Sequence, residues 1–226
     1  KLRFEGEYLN GKRWNGKFRL FDYCDKVKFE GELINGEKKG KEYISGNLIY
    51  EGEYLNLKKN GKGIEYYING KIKFEGEYIL DNRWNGSMYD YNGNMIFKIK
   101  NGEGNGKEYD FIGNLIYEGE YLNGVKNGKG KEYDYKGQIK YEGEYLNGVK
   151  NGKGKEFKYN RLIFEGEYLN GKRNGKGKEY YGNVKLLFEG EYLNGRRNGK
   201  GKEYDNLTGE LIFEGEYLNG KRNGKG

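Results

Sequence analysis

The chain has no histidine and no proline, a single cysteine (Cys24), two methionines, and two tryptophans, Trp14 and Trp84. Without histidine, the usual base for a serine or cysteine nucleophile is missing. Ser45, Ser87 and Thr208, the only aliphatic hydroxyls, stand in or beside connections with no partner base. One cysteine cannot build a zinc site or close an intrachain disulfide. A lone thiol fits a reducing compartment, so a cytoplasmic location is expected. Without proline, no position forbids continuous strand pairing. No apolar run approaches the ~20 residues of a membrane-crossing helix, and no signal-peptide pattern opens the chain. The sequence opens three residues before a repeat and stops inside a turn, so both ends read as cuts through a longer array.

What is abundant is aromatic, small or charged: 24 Tyr, 11 Phe and 41 Gly, with 34% of residues charged. The hydrophobic share of 34% lies under the ~45–50% usual for a globular domain. Such figures alone would suit a disordered chain. Periodic placement of the aromatics argues for order, because each ring buries roughly 150–250 Å² when covered. The net charge of +7 is spread over interleaved signs. That is far from the dense basic stripe of a nucleic-acid binder, so no nucleic-acid partner is expected.

The organising stretch is Phe164–Lys178, FEGEYLNGKRNGKGK. Copies start at 4, 29, 50, 74, 117, 141, 164, 188 and 213, the last truncated, and a degenerate copy starts at 97, where Lys98, Ile99 and Lys100 replace the Glu-Gly-Glu. Residues 1–226 thus read as one continuous array of about ten repeats of about 23 residues. In Tyr141-Glu142-Gly143-Glu144-Tyr145, period two puts rings and glycine on one face and glutamates on the other, which only a strand can do. The recurring glycine has two explanations, an aromatic from a neighbouring strand lying flat on bare backbone or a β-bulge, with packing favoured. Asn-Gly pairs signal a hairpin, and two compete in each repeat, such as Asn147-Gly148 and Asn151-Gly152. The expected fold is all-β: an elongated repeat array, a single twisted antiparallel meander sheet with one two-stranded hairpin per repeat. The degenerate copy, 97–116, is where a kink or change of curvature is expected.

EGEYLNGKRNGKG resembles the MORN repeat, whose hallmark is an aromatic-x-Gly-x-aromatic strand followed by Asn-Gly, a basic pair and Gly-x-Gly. Second strands such as Gly130–Ile139 look closer to the variant class found widely in bacteria. The resemblance implies an elongated antiparallel sheet, often dimeric, and a scaffolding role beside membranes or the cytoskeleton. Asn stands before the second glycine where the common form often has His.

The candidate positions follow. Arg13-Trp14-Asn15-Gly16 and Arg83-Trp84-Asn85-Gly86 are irregular copies in which Phe18 and Met88 read as replacing the second glycine of Gly-x-Gly. Either Trp14 and Trp84 fill space beside those side chains, the favoured reading, or they are interaction anchors. The basic hairpin residues Lys172, Arg173, Arg196, Arg197, Lys221 and Arg222 suggest an anionic-surface edge, weighed against ordinary solvated charge. The paired glutamates superficially suit a glycosidase, but a pair repeated in nearly every unit beside lysines reads as a solvated, register-fixing face. Gly-Lys-Gly-Lys lacks the spacing and helix of a phosphate loop. No enzyme activity, cofactor, metal or small-molecule substrate is expected. The leading expectation is a non-catalytic scaffold binding other proteins or itself. The alternatives are a peripheral binder of anionic lipid and, less favoured, a carbohydrate-binding array.

Overall fold

The computed structural model describes residues 2–35, 37–182 and 185–224. Among the described residues all regular structure is strand. The first sheet has nine strands in chain order: β1 (Leu2–Leu9), β2 (Lys12–Phe21), β3 (Val27–Ile34), β4 (Glu37–Ile44), β5 (Asn47–Leu55), β6 (Lys58–Tyr66), β7 (Ile72–Ile79), β8 (Asn82–Tyr89) and β9 (Met95–Ile99). The second has eleven: β10 (Gly104–Tyr109), β11 (Leu115–Leu122), β12 (Val125–Tyr133), β13 (Ile139–Leu146), β14 (Val149–Lys158), β15 (Arg161–Leu169), β16 (Lys172–Tyr181), β17 (Lys185–Leu193), β18 (Arg196–Tyr204), β19 (Leu211–Leu218) and β20 (Lys221–Asn223). The chain also divides into two compact units, Lys1–Asn114 with Tyr121–Val125, and Leu115–Glu120 with Lys126–Gly226, a division that does not coincide with that of the sheets. Among the described residues no helix is long and apolar enough to cross a membrane.

The antiparallel hairpin array is the expected one, except that its ladder divides in two. The division falls inside the degenerate copy and has a local cause. Regular hairpins pair glycine with glycine, as at Gly143↔Gly154, Gly166↔Gly177 and Gly190↔Gly201. In β9 the glycine place is taken by Ile99, which faces Gly86 and is buried. Between β9 and β10 only an isolated bridge, Lys100↔Glu103, forms.

Geometry also decides between the two Asn-Gly pairs. Asn147 (φ 50°) and Gly148 (φ 85°) form the tight turn, both in the left-handed region that a two-residue type I′ hairpin requires. The second pair lies in a bulge, with Gly152 at φ 89°. That bulge ties hairpins together. Asn151 Oδ1 accepts the Asn170 N–H of the next turn at 3.3 Å, and Gly171 N–H donates to the Lys150 carbonyl at 2.8 Å. The same two bonds recur at Asn174 with Asn194 and at Gly195 with Arg173. At the opposite edge, Asp90, Asp110 and Asp134 each accept two backbone N–H groups of their own loop, closing Asx-type turns.

The core is a single layer of rings on one sheet face. In the second unit, Tyr117, Tyr145, Tyr141, Tyr168, Phe164, Tyr192, Phe188, Tyr217 and Phe213 touch in turn edge-to-face, with centroids 5.1–5.6 Å apart. Tyr141, Phe164 and Phe188 are fully buried. Each such ring covers a glycine pair: a Cβ on Gly166 would lie 2.8 Å from the Phe164 ring, and one on Gly177 2.5 Å. A ring does pack on the bare backbone of the Glu-Gly-Glu glycine, but it comes from the glycine's own strand two residues earlier and not from a neighbouring strand, and the bulge begins immediately after.

Candidate functional site

Strand alternation separates two chemistries. On the ring face, the second basic residue of each hairpin and the glutamate two positions after Gly-x-Gly form an ion ladder. Arg173 bonds Glu156 and lies 3.7 Å from Glu179. Arg197 bonds Glu179 and reaches Glu203 at 3.3 Å, and Arg222 meets Glu203 at 2.8 Å. The guanidinium groups lie over rings, Arg173 4.0 Å from the Phe164 centroid and Arg197 4.2 Å from that of Phe188. Tyr192 and Tyr217 hydroxyls donate to Glu179 (2.9 Å) and Glu203 (3.0 Å).

In the first unit the same design closes most tightly around Arg83. It bonds Glu65 and lies 3.1 Å from Glu108, while Tyr78 and Tyr121 hydroxyls donate to those two glutamates at 2.8 and 3.2 Å. Burial raises the pKa of Glu65, but Arg83 and Lys59 outweigh it and hold the carboxyl at about 2. Glu156 and Glu203 are likewise lowered: burial opposes the shift, and bonds from Arg173 and Arg222 prevail. Burial also pushes phenols up, Tyr43 to about 12, and Tyr78, Tyr168 and Tyr192 further.

These shifts set a stability profile. Unfolded carboxylates bind protons as pH falls through their ordinary value of 4.5, before the folded ones do, so stability declines from there toward pH 2. Buried phenols stay neutral where unfolded ones ionise, so stability is present below pH 10 and lost as pH climbs above it. With no histidine, a plateau between is expected. Urea midpoints across pH 2–12 check this, and a slope between pH 6 and 8 contradicts it.

The opposite face carries the glutamates of Glu-Gly-Glu and the lysines of Gly-Lys-Gly-Lys. Seven strands, β13 to β19, line a single trough of about 1090 Å³ on it, and β1 to β5 line one of about 880 Å³ in the first unit. The first glutamate of each pair is neutralised: Glu165 by Lys155 (3.7 Å) and the Tyr180 hydroxyl, Glu189 by Lys178 (3.5 Å) and the Tyr204 hydroxyl. The second turns onto the bulge, where Glu144 accepts Lys153 N–H (3.0 Å) and Glu191 accepts Lys200 N–H (3.4 Å). Lys153, Lys176 and Lys200 stand opposite Glu167, Glu191 and Glu216 in register. Among the described residues their ammonium groups have no carboxylate within ion-pair distance. This row recurs every second strand, about 10 Å apart. Sequence reading passed over it because every lysine has a glutamate opposite.

The predicted positions fall in three places. Lys172, Arg196 and Lys221 are exposed at the hairpin rim beside Leu169, Leu193 and Leu218. Arg173, Arg197 and Arg222 belong to the ion ladder on the other face. Trp14 and Trp84 are half-buried bulge residues, skipped in the registers Tyr8↔Arg13, Glu7↔Asn15 and Tyr78↔Arg83, Glu77↔Asn85. The reading of Met88 as a replaced glycine is corrected. Gly86 faces Gly76, and Met88 faces Phe74, the place held by glutamate in Glu179↔Phe164. The bulge has lost one residue, so the alignment of identical letters misleads. Phe18 is split, facing Phe4 as that glutamate does on one side and Gly31 as a glycine does on the other. Among the described residues no three of His, Cys, Asp and Glu gather closely enough to hold a metal ion.

Paired glycines under rings, a basic pair and a bulge per hairpin identify the repeat. The model of the MORN repeat matches residues 50–72, 117–139, 141–160, 164–183, 188–206 and 213–226, just over half of the chain. The chain belongs to the MORN repeat family. The matched MORN copies whose paired glycines are described keep the full bulge, as between Gly52 and Gly63 or Gly166 and Gly177. The unmatched MORN-like copies are shorter: by one residue between Gly6 and Gly16 and between Gly76 and Gly86, by two between Gly31 and Gly40. A search of curated proteins finds no match to this MORN chain.

Proposed function

We propose that this MORN array is a non-catalytic scaffold that holds partner proteins along its charged trough. The observation that carries the reading is the row Lys153, Lys176 and Lys200, without a carboxylate in ion-pair distance in a groove where Lys155, Lys178 and Lys202 each have one. A partner segment bearing acidic groups on the two-strand pitch would complete it. MORN repeats are generally associated with interaction scaffolds, which supports the class of function. The test compares proteins captured from the native source by the wild-type chain and by a Lys153→Glu/Lys176→Glu/Lys200→Glu variant. Loss of the captured set with the variant is expected, and an identical set on both contradicts the reading. For self-association, light scattering across concentration should exceed the 26.3 kDa of one chain, and a constant 26.3 kDa removes that part.

A second reading, peripheral binding to anionic lipid, is favoured by one specific feature. Exposed Leu169, Leu193 and Leu218 pair in register with Lys172, Arg196 and Lys221 along the hairpin rim. With Arg173, Arg197 and Arg222 spent in the ladder, half of the basic residues counted from sequence remain for a surface worth ~1 kcal/mol per cation. Flotation with anionic vesicles at physiological salt tests it. Binding should fall about tenfold or more in Lys172→Glu/Arg196→Glu/Lys221→Glu, and absence of flotation by the wild type sinks the idea.

A further inference from the structure

The edge opposite the Asn-Gly turns carries aromatic side chains that the fold does not use. In the second unit Tyr135 and Tyr159 lie in the β12–β13 and β14–β15 connections and Tyr181 ends β16; they are 78%, 72% and 56% exposed. Successive connections on one edge are two strands apart, so these phenols recur about every 10 Å.

Cations accompany them. The Lys136 ammonium lies 5.5 Å from the Tyr135 ring centre and that of Lys158 5.6 Å from Tyr159. Arg161, exposed, stands opposite Lys158 in register. The acidic residue in these connections, Asp134, is turned inward, accepting N–H bonds from Lys136 and Gln138 at 2.9 Å each. The edge therefore presents exposed rings, the first two with a cation beside them, and little opposing charge.

A phenol ring offers its face to the C–H side of a pyranose, and a cation offers charge-assisted hydrogen bonds to a carboxylate or sulfate. Two β-linked sugar rings span roughly the 10 Å pitch of the edge. The geometry points to this edge as a binding site for a linear acidic polysaccharide, its sugar faces on Tyr135, Tyr159 and Tyr181 and its anionic groups on Lys136, Lys158 and Arg161. A glycan with one negative charge per disaccharide sets its sugar faces on these rings and its anionic groups beside the cations of the first two connections. Single-stranded nucleic acid fits less well, because it brings a phosphate with every nucleotide and asks for a stacking ring at each base. A lipid surface needs apolar and cationic groups but no pitch.

The experiment is calorimetric titration of the 226-residue chain with a hyaluronan decasaccharide, alongside cellohexaose, an oligothymidylate and phosphatidylserine vesicles. Hyaluronan is expected to bind and the other three to bind more weakly. Tyr135→Ala/Tyr159→Ala/Tyr181→Ala and, separately, Lys136→Gln/Lys158→Gln/Arg161→Gln should each weaken it about tenfold or more. All six side chains are exposed, and an unchanged circular dichroism spectrum and melting temperature would show that the variants fold. Absence of hyaluronan binding, binding that survives the tyrosine variant, or equal or tighter binding of any comparator would overturn the proposal. None of these residues lines the trough, so that outcome leaves the scaffold reading standing.

Discussion

Replacing Gly190 by alanine is expected to destabilise the second unit by about 3 kcal/mol, the upper end of the usual cost of forcing atoms into a packed site. The added Cβ would lie 2.6 Å from the Lys200 carbonyl oxygen, 2.7 Å from Gly201 Cα and 2.7 Å from the Phe188 ring. Two of these neighbours are backbone of the paired strand, so no side-chain rotation relieves the clash. The strands must part, and Phe188, fully buried over the glycine pair, loses its floor. Gly209→Ala is the control. There φ is +79° and nothing lies within 4 Å of the new atom, so only backbone strain of about 1 kcal/mol is expected. Urea denaturation of both variants measures the difference, and equal losses would show that the glycine pair is not a packing requirement.

The second large effect is expected from Arg83→Met, about 3–5 kcal/mol at pH 7, the cost of leaving buried charge without its partner. The Arg83 side chain is 13% exposed, and those of Glu65 and Glu108 14% and 21%. Removing the guanidinium leaves two carboxylates at close quarters with methionine between them. Burial, already the largest influence on Glu65, then raises its pKa above the ordinary 4.5 instead of yielding to Arg83. The sign of the pH dependence reverses for this group. A raised carboxyl contributes stability only below its unfolded pKa, so the deficit relative to wild type should shrink on acidification from pH 7 to 4. Arg83→Met/Glu65→Gln should recover much of the loss. A deficit that is constant with pH, or unrelieved in the double variant, would mean that Arg83 contributes by packing alone.

Much of this architecture was legible because period two is written into Tyr141–Tyr145 with unusual clarity. Rings and glycine share a face, glutamates share the other, and the glycine's packing role followed from that alternation. The same rule was not carried through the basic pair. Adjacent residues on a strand point to opposite faces, so Lys172 and Arg173 cannot form one patch, and Arg173 belongs with Glu156 over the Phe164 ring. Glu179, two positions beyond Gly177, shares the ring face by the same count, so the ladder was within reach of the sequence.

Three things were not. Which Asn-Gly turns and which bulges depends on φ at Gly148 and Gly152 and on bonds to the preceding hairpin, such as that from Gly171 N–H to the Lys150 carbonyl. The free lysine row depends on side-chain choices such as that of Glu191, which bends onto the Lys200 N–H and away from Lys176 opposite it. The position of Met88 depends on a residue lost from the bulge, which lettering cannot place.

Hairpins that hold only their neighbours, through rings laid over paired glycines, should fail locally. Native-state hydrogen exchange on the Gly190→Ala chain measures this residue by residue. The expected result is lost amide protection centred on β17 and β18, fading through β16 and β19, with β13 unchanged. Equal loss from β13 to β19 would reveal one indivisible core and contradict the account.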